Sequence, residues 1–227
     1  IAAFRDTPIV QEAIKKWSEN PYKGKIILAH AGIGKSFAQR NNKDFIIDGD
    51  DLFVKAANTL VEKYNRNNKE TVPTIATVKN MKSIFTAWGE YDSTNYTRQV
   101  EAKRRRDEIY DVYAKLAMKA KKEGYTVLSS SFRDPLIKIA DVVVTQNNVD
   151  KIADNLKSDL RVNQNSETDL VKIQGKIDKA IKVAKDNNIK RIELTADEFL
   201  GDILFKDGEE KLVQAIGEQV VGQKGEA

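Results

Sequence analysis

The chain has 227 residues, 41% of them hydrophobic and 32% charged, which is enough apolar content for a folded core. It contains no cysteine and one histidine, His30, which excludes disulfides, zinc–thiolate sites, cysteine nucleophiles and clusters of histidine ligands. Lys and Arg number 38 against 34 Asp and Glu, and the net charge of +4 suits anionic small molecules and allows nucleic acid without requiring it. No apolar run reaches the roughly 18–20 residues of a membrane span.

Short apolar strands alternate with helices along the sequence. In chain order the predicted elements are a helix over 8–20, a strand over 25–31, a helix over 35–41, a strand over 45–50, helices over 52–64, 78–88 and 97–123, strands over 125–130 and 140–146, helices over 149–160 and 167–187, a strand over 189–194 and a helix over 208–221. Loops are predicted at 65–74 and 90–95. Buried-type strands separated by helices predict a parallel sheet covered on both faces.

The segment that follows the first strand matches a phosphate-binding loop. Residues 29–36, here called the phosphate loop, read Ala-His-Ala-Gly-Ile-Gly-Lys-Ser and fit G-x-x-x-x-G-K-[ST] except that Ala29 replaces the first glycine. Glycines let backbone N–H groups point at phosphate oxygens, Lys35 reaches the β- and γ-phosphates, and the Ser36 hydroxyl can ligate Mg²⁺. His30 is interpreted as a backbone-flanking or substrate-side group rather than a general base. The predicted nucleotide-binding residues are Ala31, Gly32, Ile33, Gly34, Lys35, Ser36 and Phe37.

Carboxylates end the second predicted strand, twelve residues after Ser36. They belong to Asp48, Asp50 and Asp51. Because the carboxyl ends of parallel strands gather at one edge of a sheet, we expect these side chains to face the phosphate loop. A carboxylate there can hold Mg²⁺ or accept a proton from a hydroxyl that attacks the γ-phosphate.

These two motifs together resemble the small P-loop kinases, the group that includes gluconate, shikimate, adenylylsulfate, nucleoside, nucleotide and zeta-toxin-like kinases. The order of elements is similar over about 25–200 and the motif over 28–51, and phage-encoded members of the group are the most similar. The resemblance implies a three-layer α/β/α P-loop NTPase fold with a five-stranded, mainly parallel sheet, and ATP and Mg²⁺ as cofactors. It also implies that Asp48 supports the metal and that Asp50 orients or deprotonates the acceptor.

The third strand departs from the pattern of motor ATPases. It ends in Ser129-Ser-Ser131, where such ATPases carry the Walker B carboxylates. This disfavours a AAA+ or helicase function, because nothing obvious would activate a hydrolytic water.

Phosphoryl transfer also needs cations around the moving group. Arg133, after the third strand, and Arg161 are the predicted catalytic arginines, and Arg161 falls where related kinases keep a lid arginine, in a lid-like segment at about 150–167. Arg98 and Arg105 are seven residues apart on one helix face and, with Asp50 and Asp51, are the predicted substrate-binding residues.

The basic run Lys103–Arg106 has two interpretations. It is either a solvated helix face paired with neighbouring acidic residues, or a contact for a substrate phosphate or a nucleic-acid backbone. Arg104 and Arg106 point away from the face that carries Arg105, so the whole run cannot enter one site.

The sequence thus predicts one kinase domain over 1–221 and a flexible tail over 222–227. Its partners would be a nucleotide triphosphate and a small acceptor, a nucleoside or nucleoside monophosphate, with nucleic acid allowed and no membrane. The predicted location is cytoplasmic, in the host cell if the protein is phage-encoded. The alternatives are a polynucleotide kinase and a nucleotide-binding phage protein without turnover.

Overall fold

The structure is an α/β fold built on one five-stranded sheet. A computed structural model describes residues 7–68, 80–158 and 168–205. In chain order the elements are α1 (Pro8–Ser18), β1 (Ile26–Ala29), α2 (Lys35–Asn41), β2 (Ile46–Asp48), α3 (Gly49–Asn68), α4 (Met81–Trp88), α5 (Tyr96–Lys122), β3 (Thr126–Ser129), α6 (Asp134–Ile137), β4 (Val142–Gln146), α7 (Val149–Lys157), α8 (Leu170–Asp186), β5 (Lys190–Leu194) and α9 (Leu200–Leu204).

The strands lie in the order β2-β3-β1-β4-β5 and every pair is parallel. The predicted, mainly parallel sheet is therefore parallel throughout. All carboxyl ends share one edge, and β1 in the middle of the sheet delivers the phosphate loop to that edge. A strand, a glycine-bearing loop and a helix in a parallel sheet form the P-loop unit, which confirms the predicted P-loop NTPase fold.

Helices cover both faces of the sheet because the strand residues alternate in direction. Ile26 and Leu28 pack into a cluster with α3, α4 and α5, whereas Ile27 and Ala29 pack into a cluster with α1, α2, α7 and α9. Each fully buried Ile or Leu stabilises the fold by about 1.5–3 kcal/mol relative to an exposed one. The sheet and the helices packed on its two faces therefore form the three layers that the sequence predicts.

Helices α3 and α5 continue past the sheet at its carboxyl edge. They are antiparallel: the Phe53 ring lies 5.8 Å from that of Tyr113 at the edge, and farther out the Tyr64 hydroxyl donates to Glu108 Oε2 at 2.6 Å. Helix α4 joins them where Trp88 packs on Tyr64, with ring centroids 6.0 Å apart. The outer parts of these helices, residues 57–68, 81–88 and 96–108, are here called the helical projection.

A few elements differ from the sequence prediction. Helix α3 continues to Asn68 through the start of the predicted 65–74 loop, with the Arg66 Nε donating to the Glu62 carbonyl one turn back. The short helices α6 and α9 were not predicted, because four or five residues carry too little periodicity. The predicted helix over 208–221, the tail and the 159–167 part of the lid-like segment lie outside the described residues. Within the described ranges, no helix has both the length and the apolar composition for a membrane span.

Candidate active site

The phosphate loop connects β1 to α2 with two residues in the left-handed region. Gly32 has φ +89° and Gly34 has φ +93°, conformations that a residue with a Cβ adopts only with strain. The Lys35 ammonium donates to the His30 carbonyl at 2.9 Å, so it lies folded over the loop. Lys35 and Ser36 are half-buried, whereas the side chain of Phe37 is exposed.

Neighbouring elements hold this loop from outside. Asn155 of α7 donates its side-chain amide to the Gly32 carbonyl at 2.9 Å, and the Leu200 N–H at the start of α9 donates to the Ile33 carbonyl at 2.9 Å. An added Cβ at Gly32 would come within 2.5 Å of the Ile152 side chain, so α7 packs directly on the loop. The described part of the predicted lid-like segment is thus in contact with the phosphate loop.

His30 is a structural member of the loop. Its ring is 3% exposed, and Nε2 accepts the backbone N–H of Gln146 at 3.1 Å, so the proton is on Nδ1, which lies 3.2 Å from the Ala31 carbonyl that accepts it. Burial, with smaller contributions from the charges of Lys35 and Lys176, lowers the pKa of His30 to about 4. The residue is neutral at pH 7 and both ring nitrogens are engaged, in line with the interpretation that it is not a general base.

Asp48 joins the second strand to the phosphate loop. Its carboxylate, in a residue only 6% exposed, accepts the Ser36 hydroxyl at 3.3 Å through Oδ2 and the Asp50 N–H at 3.0 Å through Oδ1. Asp50 is half-buried and Asp51 exposed in the first turn of α3. The structure therefore brings the predicted metal residues together and places Asp50 beside them.

A buried tyrosine, Tyr113, lies close to these carboxylates. The Tyr113 hydroxyl and Ser129 Oγ are 2.6 Å apart and share a hydrogen bond, and the Ser131 N–H donates to the same Oγ at 3.1 Å. Burial raises the pKa of Tyr113, and the charges of Asp50 and Asp48 raise it further. Tyr113 is not among the predicted site residues, because a tyrosine within a long helix carries no local signal of this contact.

Arg133 lies near the start of α3, to which it is linked through Tyr110 of α5. It is exposed, and its guanidinium lies 4.7 Å from the centroid of the Tyr110 ring, which in turn packs 5.2 Å from Phe53. Tyr110 thus links Arg133 to Phe53, four residues after the start of α3. Arg161 falls outside the described residues, so its predicted role stays a prediction.

Arg98 and Arg105 share a face of α5, as predicted, but that face packs on the neighbouring helices of the projection. The Arg105 guanidinium, in a residue 7% exposed, lies 4.3 Å from the Tyr64 centroid and 5.5 Å from that of Trp88. Arg98 donates to Asp92 Oδ2 at 3.3 Å and to the Ala87 carbonyl at 2.6 Å. The structure does not bring either residue to the phosphate loop, and their predicted substrate role stays a prediction.

The other arginines of the basic run also have acidic partners. Arg104 donates to Glu101 at 2.5 Å and to Glu108 at 2.9 Å, and Arg106 is paired with Glu90. These contacts agree with the interpretation of the run as a paired helix face.

An open cavity of about 540 Å³ lies at the carboxyl ends of β4 and β5. Its lining residues are Gln146, Asn147, Asn148, Glu193, Leu194, Thr195 and Ala196. Gln146 connects it to the phosphate loop through His30, and its side-chain amide also donates to the carbonyls of Thr195 at 2.8 Å and Glu198 at 2.9 Å. Sequence reasoning placed Gln146 at a strand end but gave no sign of this cavity.

No protein-family model matches the chain, and no curated protein matches it either. Among solved structures, dephospho-CoA kinase from Campylobacter jejuni is similar with a TM-score of 0.36 and 11% sequence identity, over 88% of this chain and 96% of that chain. A likeness this distant carries no information on activity, which depends on the residues of the site.

Proposed function

We propose that this protein is an ATP-dependent kinase that transfers the γ-phosphoryl group to a hydroxyl of a small acceptor, a nucleoside or nucleoside monophosphate. The observation that carries the proposal is the contact between Ser36 of the phosphate loop and Asp48 at 3.3 Å, with the Asp50 N–H bonded to the same carboxylate. A phosphate-binding loop and a pair of carboxylates at one sheet edge are what in-line phosphoryl transfer requires.

The donor nucleotide would bind along the carboxyl edge of the sheet. Backbone N–H groups of residues 31–36 would bind its phosphates, and Lys35 would leave the His30 carbonyl to contact the β- and γ-phosphates. The cavity beside Gln146 adjoins the loop through the bond from the Gln146 N–H to His30, and it would receive the nucleobase. Phosphate loop and cavity together would hold both ends of ATP.

The site also fits Mg²⁺. A hydroxyl and a carboxylate are oxygen ligands, and Mg²⁺ usually takes one or two carboxylates from a protein and the rest from phosphates and water. Ser36 and Asp48 would hold the ion, which supplies positive charge to the phosphates when bound.

In the proposed reaction, the oxygen of the acceptor hydroxyl forms a bond to the γ-phosphorus. The bond from that phosphorus to the β–γ bridging oxygen breaks, ADP leaves with its electron pair, and the hydroxyl proton passes to Asp50 and then to water. Lys35 would stabilise the charge on the transferred group, and Arg133, together with Arg161, would add positive charge on the acceptor side. Asp51, Arg98 and Arg105 remain candidate acceptor contacts.

The ion pairs on α5 favour a small acceptor over a polynucleotide. Arg104 and Arg106 have carboxylate partners, and Arg105 is buried against Tyr64 and Trp88, so this part of the helix offers phosphates little unpaired positive charge. Binding to DNA or RNA that weakens steeply with salt would instead support the polynucleotide alternative.

The test is ATP consumption by the full chain against nucleosides, nucleoside monophosphates, sugars and oligonucleotides. We expect transfer to at least one nucleoside or monophosphate, abolished by Lys35→Met and by Asp50→Asn. Lys179→Met, an exposed change on α8, is the control and should leave transfer intact. ATP binding without transfer to any acceptor would instead indicate a nucleotide-binding protein without turnover. Unchanged transfer in Lys35→Met would refute the assignment of the site.

A further inference from the structure

Three consecutive carbonyl groups of the phosphate loop accept hydrogen bonds. The Ala31 carbonyl accepts His30 Nδ1–H at 3.2 Å, and the Gly32 carbonyl accepts the Asn155 amide at 2.9 Å. The Ile33 carbonyl accepts the Leu200 N–H at 2.9 Å. The donors come from the loop itself, from α7 and from the start of α9.

These bonds fix where the loop's N–H groups point. A trans peptide is planar, and its C=O and N–H are directed oppositely. When a donor holds the Gly32 carbonyl on the α7 side, the N–H of Ile33 in the same peptide faces the other way. The same geometry turns the N–H groups of Gly32 and Gly34 away from the His30 ring and the Leu200 N–H, so each of the three successive N–H groups is directed away from the donor that holds its own peptide. Successive N–H groups free of such donors are what an anion-binding nest needs.

We propose that Asn155 is a positioning residue for phosphate binding: by holding the Gly32 carbonyl, it orients the Ile33 N–H for a phosphate oxygen. The proposal rests on the proposed function to the extent that the ligand of the loop is a polyphosphate. Of the three donors, Asn155 is the one that lies on a separate helix and acts through a side chain. Asn155 can therefore be substituted without altering the backbone of the loop or the buried His30 ring.

Glycine geometry makes this orientation dependent on an outside donor. With φ at +89° and +93°, Gly32 and Gly34 lack the side chains that restrict the backbone elsewhere, so the Gly32–Ile33 peptide has more rotational freedom than a peptide between two residues with side chains. Ile152 packs against Gly32 and Leu156 is buried beside it, which keeps α7 close enough for the 2.9 Å bond. Loss of the amide would leave the packing in place and release the peptide.

The experiment is calorimetry on the full chain with two probes, inorganic tripolyphosphate and adenosine. Asn155→Asp keeps nearly the same side-chain shape, but the carboxylate cannot donate a hydrogen bond and places a negative charge next to the Gly32 carbonyl. Asn155→Ala removes the donor without adding that charge. Asp154→Ala, an exposed change on the same helix, is the control. We expect tripolyphosphate affinity to fall about tenfold in Asn155→Asp and several-fold in Asn155→Ala, with adenosine affinity unchanged and the control like the wild type.

The outcomes separate this proposal from the proposed function. Tripolyphosphate affinity within twofold of wild type in both Asn155 variants would overturn it, as would a parallel loss for adenosine and tripolyphosphate, which indicates a merely structural role. Tripolyphosphate binding by the wild type without transfer to any acceptor would overturn the kinase function and leave the Asn155 role standing. A wild-type chain that binds no tripolyphosphate would overturn both.

Discussion

The hydroxyl of Tyr113 lies directly beside Gly49, the residue that stands between Asp48 and Asp50 in the sequence. A Cβ added at Gly49 would collide with that hydroxyl and come within 2.8 Å of the Leu128 carbonyl oxygen. The glycine of the Asp48-Gly-Asp50 sequence is therefore required by close approach to α5 and β3. The residue between Asp48 and Asp50 in the sequence is thus held against Tyr113 and β3.

We predict that Gly49→Ala destabilises the protein and reduces phosphotransfer, because either Tyr113 or the strand must move. Overpacking of this kind costs about 1–3 kcal/mol. Gly175→Ala is the matched control: nothing lies within 4 Å of a Cβ there, and alanine in the interior of α8 should stabilise by about 0.5–1 kcal/mol. Thermal melting should show a lower melting temperature for Gly49→Ala and a higher one for Gly175→Ala. A Gly49→Ala variant as stable as the wild type would contradict the close contact of Gly49 with Tyr113.

Substitutions of Asp48 and of Asp50 should impair activity in different ways. Asp48→Asn removes charge from the group that contacts Ser36, so we expect activity to require roughly tenfold or more additional Mg²⁺. Asp50→Asn leaves the Ser36 contact in place and removes the proposed proton acceptor, so we expect kcat to fall by about 10²–10⁴ with an unchanged Mg²⁺ requirement. Magnesium titrations of kcat measure both effects. Identical Mg²⁺ profiles in the two variants would mean that their roles are not divided as proposed.

His30 should make the protein acid-labile. Its folded-state pKa of about 4 is below the ordinary 6.5, so as pH falls from 6.5 towards 4 the unfolded chain takes up a proton that the folded chain excludes. The stabilising contribution is complete above pH 6.5 and is reduced by about 2 kcal/mol at pH 5. We expect His30→Gln to lose stability at pH 7 and to show a smaller further loss at pH 5. Urea unfolding at both pH values tests this, and equal pH dependence in the two proteins would count against it.

The arginines of the helical projection should differ sharply in importance. Arg105 lies between Tyr64 and Trp88, so we expect Arg105→Ala to cost about 2 kcal/mol or more and to lower the melting temperature by several degrees. Arg104 is exposed and its ion pairs are solvated, so Arg104→Ala should scarcely change the melting temperature. Equal effects in differential scanning calorimetry would show that burial of Arg105 is not what stabilises the projection.

The sequence was sufficient for the phosphate loop and the sheet, because their signals are local. Residues 29–36 carry a motif at fixed spacing, and the apolar run before it fixes a strand. The encounter of Ser36 with Asp48 also followed, since two carboxyl ends of one parallel sheet must share an edge. These predictions needed no knowledge of distant pairing.

The remaining site residues depend on contacts that local patterns do not encode. Gln146 meets His30 across 116 positions, and Asn155 meets Gly32 across 123. Asn155 stands beside the apolar stripe formed by Ile152 and Leu156, which marks it as close to a packed surface but does not identify the carbonyl that it reaches. Arg105 could be placed on a helix face, whereas the aromatic rings that cover it come from two other helices.

Two polar contacts join helix α5 to the sheet region, in addition to its apolar packing on the strands. Tyr113 contacts Ser129 at one edge, and Lys121 forms an ion pair with Asp141 at 2.9 Å near the other, eight residues or about 12 Å away. From Tyr113 outward the helix continues about 22 Å to Arg98. Over this stretch α5 contacts other helices: Arg105 and Glu108 meet Tyr64 of α3, and Arg98 donates to the Ala87 carbonyl of α4. The outer part of α5 is therefore positioned by α3, the same helix that carries Asp50 in its first turn.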